Sequence, residues 1–122
     1  MKRGLVVDDS AVIRKVTARI LDLMHFSCAS AETGAKALEI CAASMPDVIL
    51  LDWKLPQTDT LAFLRALRGL AGGGEPKVIY CATENDSVAI GRALRGGADD
   101  VLLKPFDQRA IQEKFLENGL LG

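Results

Sequence analysis

Four side chains in this sequence have the types and positions for phosphoryl or metal chemistry. Asp8 and Asp9 follow the apolar run Leu5-Val6-Val7, Asp52 ends the run Val48-Ile49-Leu50-Leu51, and Lys104 closes the run Val101-Leu102-Leu103 ahead of Pro105. Carboxylates held close together resist joint ionisation unless a cation sits among them. All-oxygen ligands suit a hard ion, and a few carboxylates completed by water suit Mg²⁺ better than zinc. A carboxylate can also attack phosphorus, and an ammonium beside it would neutralise charge on the transferring oxygens. Each residue has a plainer use: Asp8 and Asp9 as a helix cap, Asp52 in a turn, Lys104 as a solvated charge. Their joint placement at matching ends of three apolar runs favours chemistry over those separate roles.

The elements that must carry these residues alternate between strand and helix signals. Val48 to Leu51 leaves no polar face, as in a strand covered on both sides of a parallel sheet, and Pro56 prevents simple continuation. Leu5 to Val7 and Val78 to Ala82 read the same way, as does Val101 to Leu103, while Phe26 to Ala31 reads as a weaker, outer strand. Val12, Ile13, Val16, Ile20, Leu23 and Met24 recur at helical spacing. Thr33 predicts the N-cap of a helix bearing Leu38, Ile40 and Cys41, in which Gly34 lowers the propensity. Leu61, Leu64 and Leu67 mark a third helix, broken by the glycines from Gly69 to Gly74. Thr83-Glu84-Asn85-Asp86 predicts a capping box for a fourth helix through Val88, Ile90, Ala93 and Leu94, ended by Gly96-Gly97. Asp107 predicts the cap of a fifth helix with Ala110, Ile111 and Phe115. Five such βα units with short, right-handed connections imply a parallel sheet with helices on both faces. Periodicity leaves the strand order open.

Composition narrows the class. The chain has 122 residues, 49% of them hydrophobic and 25% charged, with a net charge of −1. That describes one ordinary globular domain without the basic excess of a nucleic-acid binder or a polybasic membrane patch. No apolar run reaches signal-peptide or membrane-spanning length, so a cytoplasmic protein is expected. Cys28, Cys41 and Cys81 are widely spaced and fit neither a disulfide framework nor a zinc site. His25 is the single histidine and reads as structural.

The turn after the first strand is Asp-Asp-Ser rather than Gly-rich, which excludes a dinucleotide fingerprint, and no GxxxxGK[ST] loop is present. A phosphatase with its nucleophile after strand one would need carboxylates two residues apart, whereas Asp8 and Asp9 are adjacent. The sequence instead closely resembles a response-regulator receiver domain of two-component signalling, in Val-Val-Asp8-Asp9-Ser, Leu-Leu-Asp52-Trp-Lys-Leu-Pro56 and Gly97-Ala98-Asp-Asp-Val-Leu-Leu-Lys104-Pro105-Phe106. The resemblance implies an α/β, flavodoxin-like (βα)5 three-layer sandwich of strand order 2-1-3-4-5 over residues 1–122, as a single receiver domain without an output domain. It implies Asp52 as phosphoacceptor and Mg²⁺ held by Asp8, Asp9, Asp52 and the Lys54 backbone carbonyl. Lys104 would pair with the phosphoryl group, its direction set by a cis peptide before Pro105. The implied donor is a histidine kinase or histidine phosphotransfer protein. The effector would dock on the 87–115 face of a monomer, as in chemotaxis regulators, and the domain would catalyse nothing beyond its own phosphorylation and dephosphorylation. A phosphate sink and an unphosphorylated pseudo-receiver scaffold are the competing readings.

Two positions depart from the family pattern. Counting back from Lys104, the switch hydroxyl position holds Ala82, with Thr83 one place later as a substitute candidate. The aromatic position in the fifth strand holds Val101. Lys54 and Glu84 are further expected to flank the phosphoryl group and pair weakly across it.

Overall fold

The computed structural model describes residues 1–83 and 86–121. Strands and helices alternate: β1 (Arg3–Val7), α1 (Ala11–Leu23), β2 (Ser27–Ala31), α2 (Gly34–Ala43), β3 (Val48–Asp52), α3 (Thr60–Gly69), β4 (Lys77–Ala82), α4 (Ser87–Arg95), β5 (Asp100–Leu103) and α5 (Gln108–Glu117). The five strands form one parallel sheet in the order β2-β1-β3-β4-β5. β3, apolar on both faces, is central and buried throughout. β2, with small and polar side chains, takes the edge.

The period-2 alternation of each strand feeds two cores. Val6, Val48, Leu50, Ile79 and Leu102 pack with Leu21 of α1 and Ile111 and Phe115 of α5. Leu5, Val7, Ile49, Leu51 and Tyr80 pack with Ala37 of α2, Phe63, Leu64 and Leu67 of α3, and Ala93 of α4. Burial of a large aliphatic or aromatic side chain contributes roughly 1.5–3 kcal/mol, so these two layers supply most of the driving force. The sandwich follows from strands that must be covered twice.

Caps fix where the helices start. Thr33 accepts the Lys36 N–H and Asp107 accepts the Ala110 N–H, as their positions in the sequence predict. Gly34 has a steric reason: a Cβ there would lie 2.7 Å from the Thr58 methyl. The expected cap at Thr83 is corrected. α4 begins at Ser87 with Asp86 in the cap position, and the Asp86 N–H donates to the Thr83 carbonyl at 3.3 Å. Glu84 and Asn85, the middle of the expected capping box, lie outside the described residues. The expected stripe on α1 also shifts. Thr17 and Leu21 are its buried residues, with Met24 buried at the C-cap, whereas Val12, Val16 and Leu23 face solvent at 68%, 53% and 56% exposure. His25 follows α1 with φ of 65° and lets the Phe26 N–H return to the Leu21 carbonyl, a structural role.

One polar network ties the end of the sheet opposite the strand tips carrying Asp52 and Lys104. The Arg68 guanidinium donates to the carbonyls of Gly73, Pro76 and Gly97 and to the Asp99 carboxylate, at 2.8 to 3.1 Å. Asp99 also accepts the Val78 N–H at 2.8 Å. The chain can approach this closely only with glycine at 73, where a Cβ would fall 1.9 Å from the Leu67 carbonyl oxygen. Arg68→Ala strands these acceptors, although partial exposure lets water replace some bonds. It should lower the unfolding free energy by about 2 kcal/mol in urea denaturation. Arg68→Lys should recover less than half of that loss, because an ammonium lacks the planar fork.

Candidate functional site

The C-terminal tips of β1, β3 and β5 meet on one rim. Asp8 follows β1 directly, and its backbone N–H donates to the Ala31 carbonyl of β2 at 3.1 Å. Its carboxylate accepts the Ser10 N–H at 2.9 Å, and Ser10 caps α1 by accepting the Ile13 N–H. Arg14, one turn into α1, donates to the Asp8 carbonyl at 2.8 Å. Asp8 is thus a buried group fixed by its own turn, and the helix cap passes to Ser10. Asp9 is exposed. Asp52 ends β3 at only 5% exposure.

Lys104 reaches this rim because β5 continues past Leu103: its N–H donates to the Ala82 carbonyl at 2.7 Å, and the peptide before Pro105 is cis. Its ammonium lies 2.6 Å from Asp52 Oδ1 and 3.2 Å from Asp8 Oδ2. Burial lowers the Lys104 pKa less than the two carboxylates raise it, so the net shift is upward and the ammonium stays charged. Asp52 is pushed above the ordinary carboxylate range. Burial is the largest cause, Lys104 offsets part of it, and the charges of Asp8 and Asp9 add to it. The Lys104 ammonium therefore pairs with two of the three carboxylates gathered there.

Asp8, Asp9 and Asp52 each offer a carboxylate oxygen, and these atoms all lie within 4.8 Å of one another. That donor set fits a hard, oxygen-loving cation with room for water. Lys54 lines the same open cavity of about 540 Å³ as Asp9, Asp52 and Lys104, and its ammonium lies 5.8 Å from the Trp53 ring centroid. Glu84, its expected partner across the site, lies outside the described residues.

Thr83 lines a separate cavity of about 350 Å³ with Ile13, Val16, Thr17, Lys104 and Phe106, on the α1/α5 side of the sheet. Ala82, wholly buried, packs on the opposite side with Tyr80 and Ala93, and Val101 packs against that same layer. Sequence reasoning missed Tyr80, whose hydroxyl donates to the Trp53 carbonyl at 3.3 Å. The available signal was the chain's single tyrosine in a fully buried strand, where a phenol needs a partner.

Comparison with known proteins gives a consistent result. A family model described as the response regulator receiver domain matches residues 5–116. The response regulator MprA of Mycobacterium tuberculosis is 40% identical over 105 residues, which cover 85% of this chain and 44% of MprA. The chain thus spans less than half the length of such curated relatives. The chemotaxis response regulator CheY4 of Vibrio cholerae superposes with a TM-score of 0.88 at 25% identity, covering 96% of this chain and 98% of that one. The receiver domain of the sensor histidine kinase PA1611 of Pseudomonas aeruginosa superposes with a TM-score of 0.85 at 23% identity, covering 95% of each chain, a likeness of fold. That structure has a magnesium ion coordinated in its active-site cleft.

The charge imbalance on the rim generates a stability prediction. A carboxylate whose pKa is raised by folding opposes the fold above that pKa, and the penalty disappears as pH falls through it. At neutral pH without divalent cation, Asp52→Asn should therefore raise the thermal midpoint by a few degrees, since Lys104 keeps Asp8 as partner. Adding Mg²⁺ should narrow the gap by stabilising wild type more than the variant. A lower midpoint for Asp52→Asn in metal-free buffer would show that the Lys104 bond outweighs the repulsion.

Proposed function

The chain belongs to the response regulator receiver domain family, and from that membership we propose that it is a phosphoacceptor that takes a phosphoryl group from phosphohistidine onto Asp52. The observation that carries the proposal is the placement of the Lys104 ammonium 2.6 Å from Asp52 Oδ1, inside a group of three carboxylates. In the transfer, an Asp52 carboxylate oxygen attacks phosphorus. The P–O bond forms as the P–N bond to the donor imidazole breaks, and the imidazole leaves with its electron pair and is then protonated.

Asp8, Asp9, Asp52 and the Lys54 carbonyl would hold Mg²⁺, which supplies charge neutralisation for the transferring oxygens when bound. Lys104 starts paired with Asp52 and Asp8 and is close enough to follow the negative charge onto the phosphoryl group. Asp8, fixed through Ser10 and Arg14, keeps its carboxylate aimed at the rim during this exchange. Bulk around the acceptor is low, because the cavity over Asp52 is open. A partner's histidine can therefore reach it.

Receiver domains of this family act with histidine kinases and effector proteins. For this chain, the exposed Val12 and Val16 of α1 border the rim and suit a kinase or phosphotransfer helix. Val88, Leu94 and Leu103, at 68%, 43% and 43% exposure, suit an effector on the 87–115 face. Among the described residues no helix is long and apolar enough to cross a membrane. A donor charged from ATP would place the domain in the cytoplasm. The full set of Asp8, Asp9, Asp52 and Lys104 favours phosphorylation over an inert scaffold. A phosphate sink would share the chemistry and differ only in lacking an effector.

Two experiments test the reading. Incubation with a small acyl-phosphate donor and Mg²⁺ should add one phosphate by intact-mass measurement, and Asp52→Asn or chelation of Mg²⁺ should abolish it. Labelling of the Asn variant at another residue contradicts the assignment. The second concerns the output. Ala82 offers no hydroxyl toward α4, so phosphorylation should shift α4 only weakly. Ala82→Thr should enlarge the phosphorylation-dependent amide shift changes between Ser87 and Val101, since a charge-assisted hydrogen bond is worth about 1.5–3 kcal/mol. If wild type already shows large changes there and Ala82→Thr adds nothing, the switch does not depend on that hydroxyl.

A further inference from the structure

We infer that Tyr80 is a positioning residue for the cation-holding loop after Asp52, an inference that rests on reading the rim as a divalent-cation and phosphoryl site. Tyr80 is 2% exposed, and its neighbours Val78, Ile79, Cys81 and Ala82 on β4 carry no hydroxyl. A phenol placed there must find a partner or lose its hydration uncompensated. Its hydroxyl donates to the Trp53 carbonyl at 3.3 Å, and Thr60, in the first turn of α3, lines the same cavity as Tyr80 and Trp53. On its other side the Trp53 N–H donates to the Cys81 carbonyl at 2.8 Å. Trp53 is therefore held at both backbone poles by β4.

The consequence falls on Lys54. The Trp53 carbonyl and the Lys54 N–H share one planar peptide unit, so fixing that carbonyl fixes where Lys54 begins. Few backbone torsions then remain to aim the Lys54 carbonyl. A ligand carbonyl aimed in advance loses less conformational freedom when an ion arrives, and that saving appears as affinity. Tyr80 also contributes its ring to the core under α3 and α4, beside Phe63 and Ala93. Phenylalanine keeps that ring and removes only the hydroxyl, so the two contributions separate. Tyr80→Met offers a second way to remove the hydroxyl while a flexible apolar side chain fills the space.

The test is a MgCl₂ titration of the metal-free full chain, followed by calorimetry and by the fluorescence of its single tryptophan. Wild type, Tyr80→Phe, Tyr80→Met and Asp9→Asn are compared. Tyr80→Phe should raise the Kd for Mg²⁺ about five-fold, the loss expected for one neutral hydrogen bond. Tyr80→Met should raise it at least as much, since it removes the same hydroxyl. Labelling of Tyr80→Phe by acyl phosphate should fall at limiting Mg²⁺ and recover as Mg²⁺ saturates. An unchanged Kd in Tyr80→Phe overturns the positioning role, as does slow labelling that saturating Mg²⁺ does not recover. If Tyr80→Phe proves misfolded, an unchanged Kd in Tyr80→Met overturns it instead. Wild-type binding that Asp9→Asn fails to weaken defeats the reading of the rim itself, and the role of Tyr80 with it.

Discussion

The structure depends on how one ammonium is shared between two buried carboxylates, with a third beside them, at the end of a buried sheet. Lys104 sits between Asp52 and Asp8 at 2.6 and 3.2 Å, while Asp9 stands exposed beside them. Burial and like charge raise the Asp52 pKa, and Lys104 offsets this only in part. The protein thus holds a deficit of positive charge beside two carboxylates, Asp8 and Asp52, that are themselves buried. Such a deficit is costly to folding and useful to binding, since a divalent cation relieves it. The parallel order of β1, β3, β4 and β5 is what allows it, because side chains at matching strand tips converge there without any long loop.

Much of this was legible in the sequence because fully buried strands are written as unbroken aliphatic runs, and the first polar residue after each run marks its tip. Val48 to Leu51 followed by Asp52 is the clearest case. The caps at Thr33 and Asp107 were equally plain, since each hydroxyl or carboxylate acts on an N–H only three residues ahead. The order 2-1-3-4-5 came through family resemblance. A strand that is apolar on both faces carries no mark of its neighbours.

Other features depend on contacts between distant segments. On α1 the apolar residues outnumber the buried stripe, and a threonine at 17 occupies a buried place that periodicity would give to a hydrophobe. Thr83 read as a cap from local pattern alone, whereas Asp86 takes the cap position of α4. Arg68 gave no local sign of its role, since its acceptors at Gly73, Pro76, Gly97 and Asp99 come from separate turns. Tyr80 likewise depends on a pairing between β4 and the turn after β3.

The central claim is that Asp8, Asp9, Asp52 and Lys104 form one electrostatic unit rather than four neighbouring charges. Nuclear magnetic resonance of the three carboxyl carbons and the Lys104 Nζ, followed through a Mg²⁺ titration of the unphosphorylated chain, tests it directly. The account predicts that all four resonances move together, fit a single dissociation constant and stop at one equivalent bound. Independent curves, or a Lys104 resonance that stays still while the carboxylates shift, would contradict it.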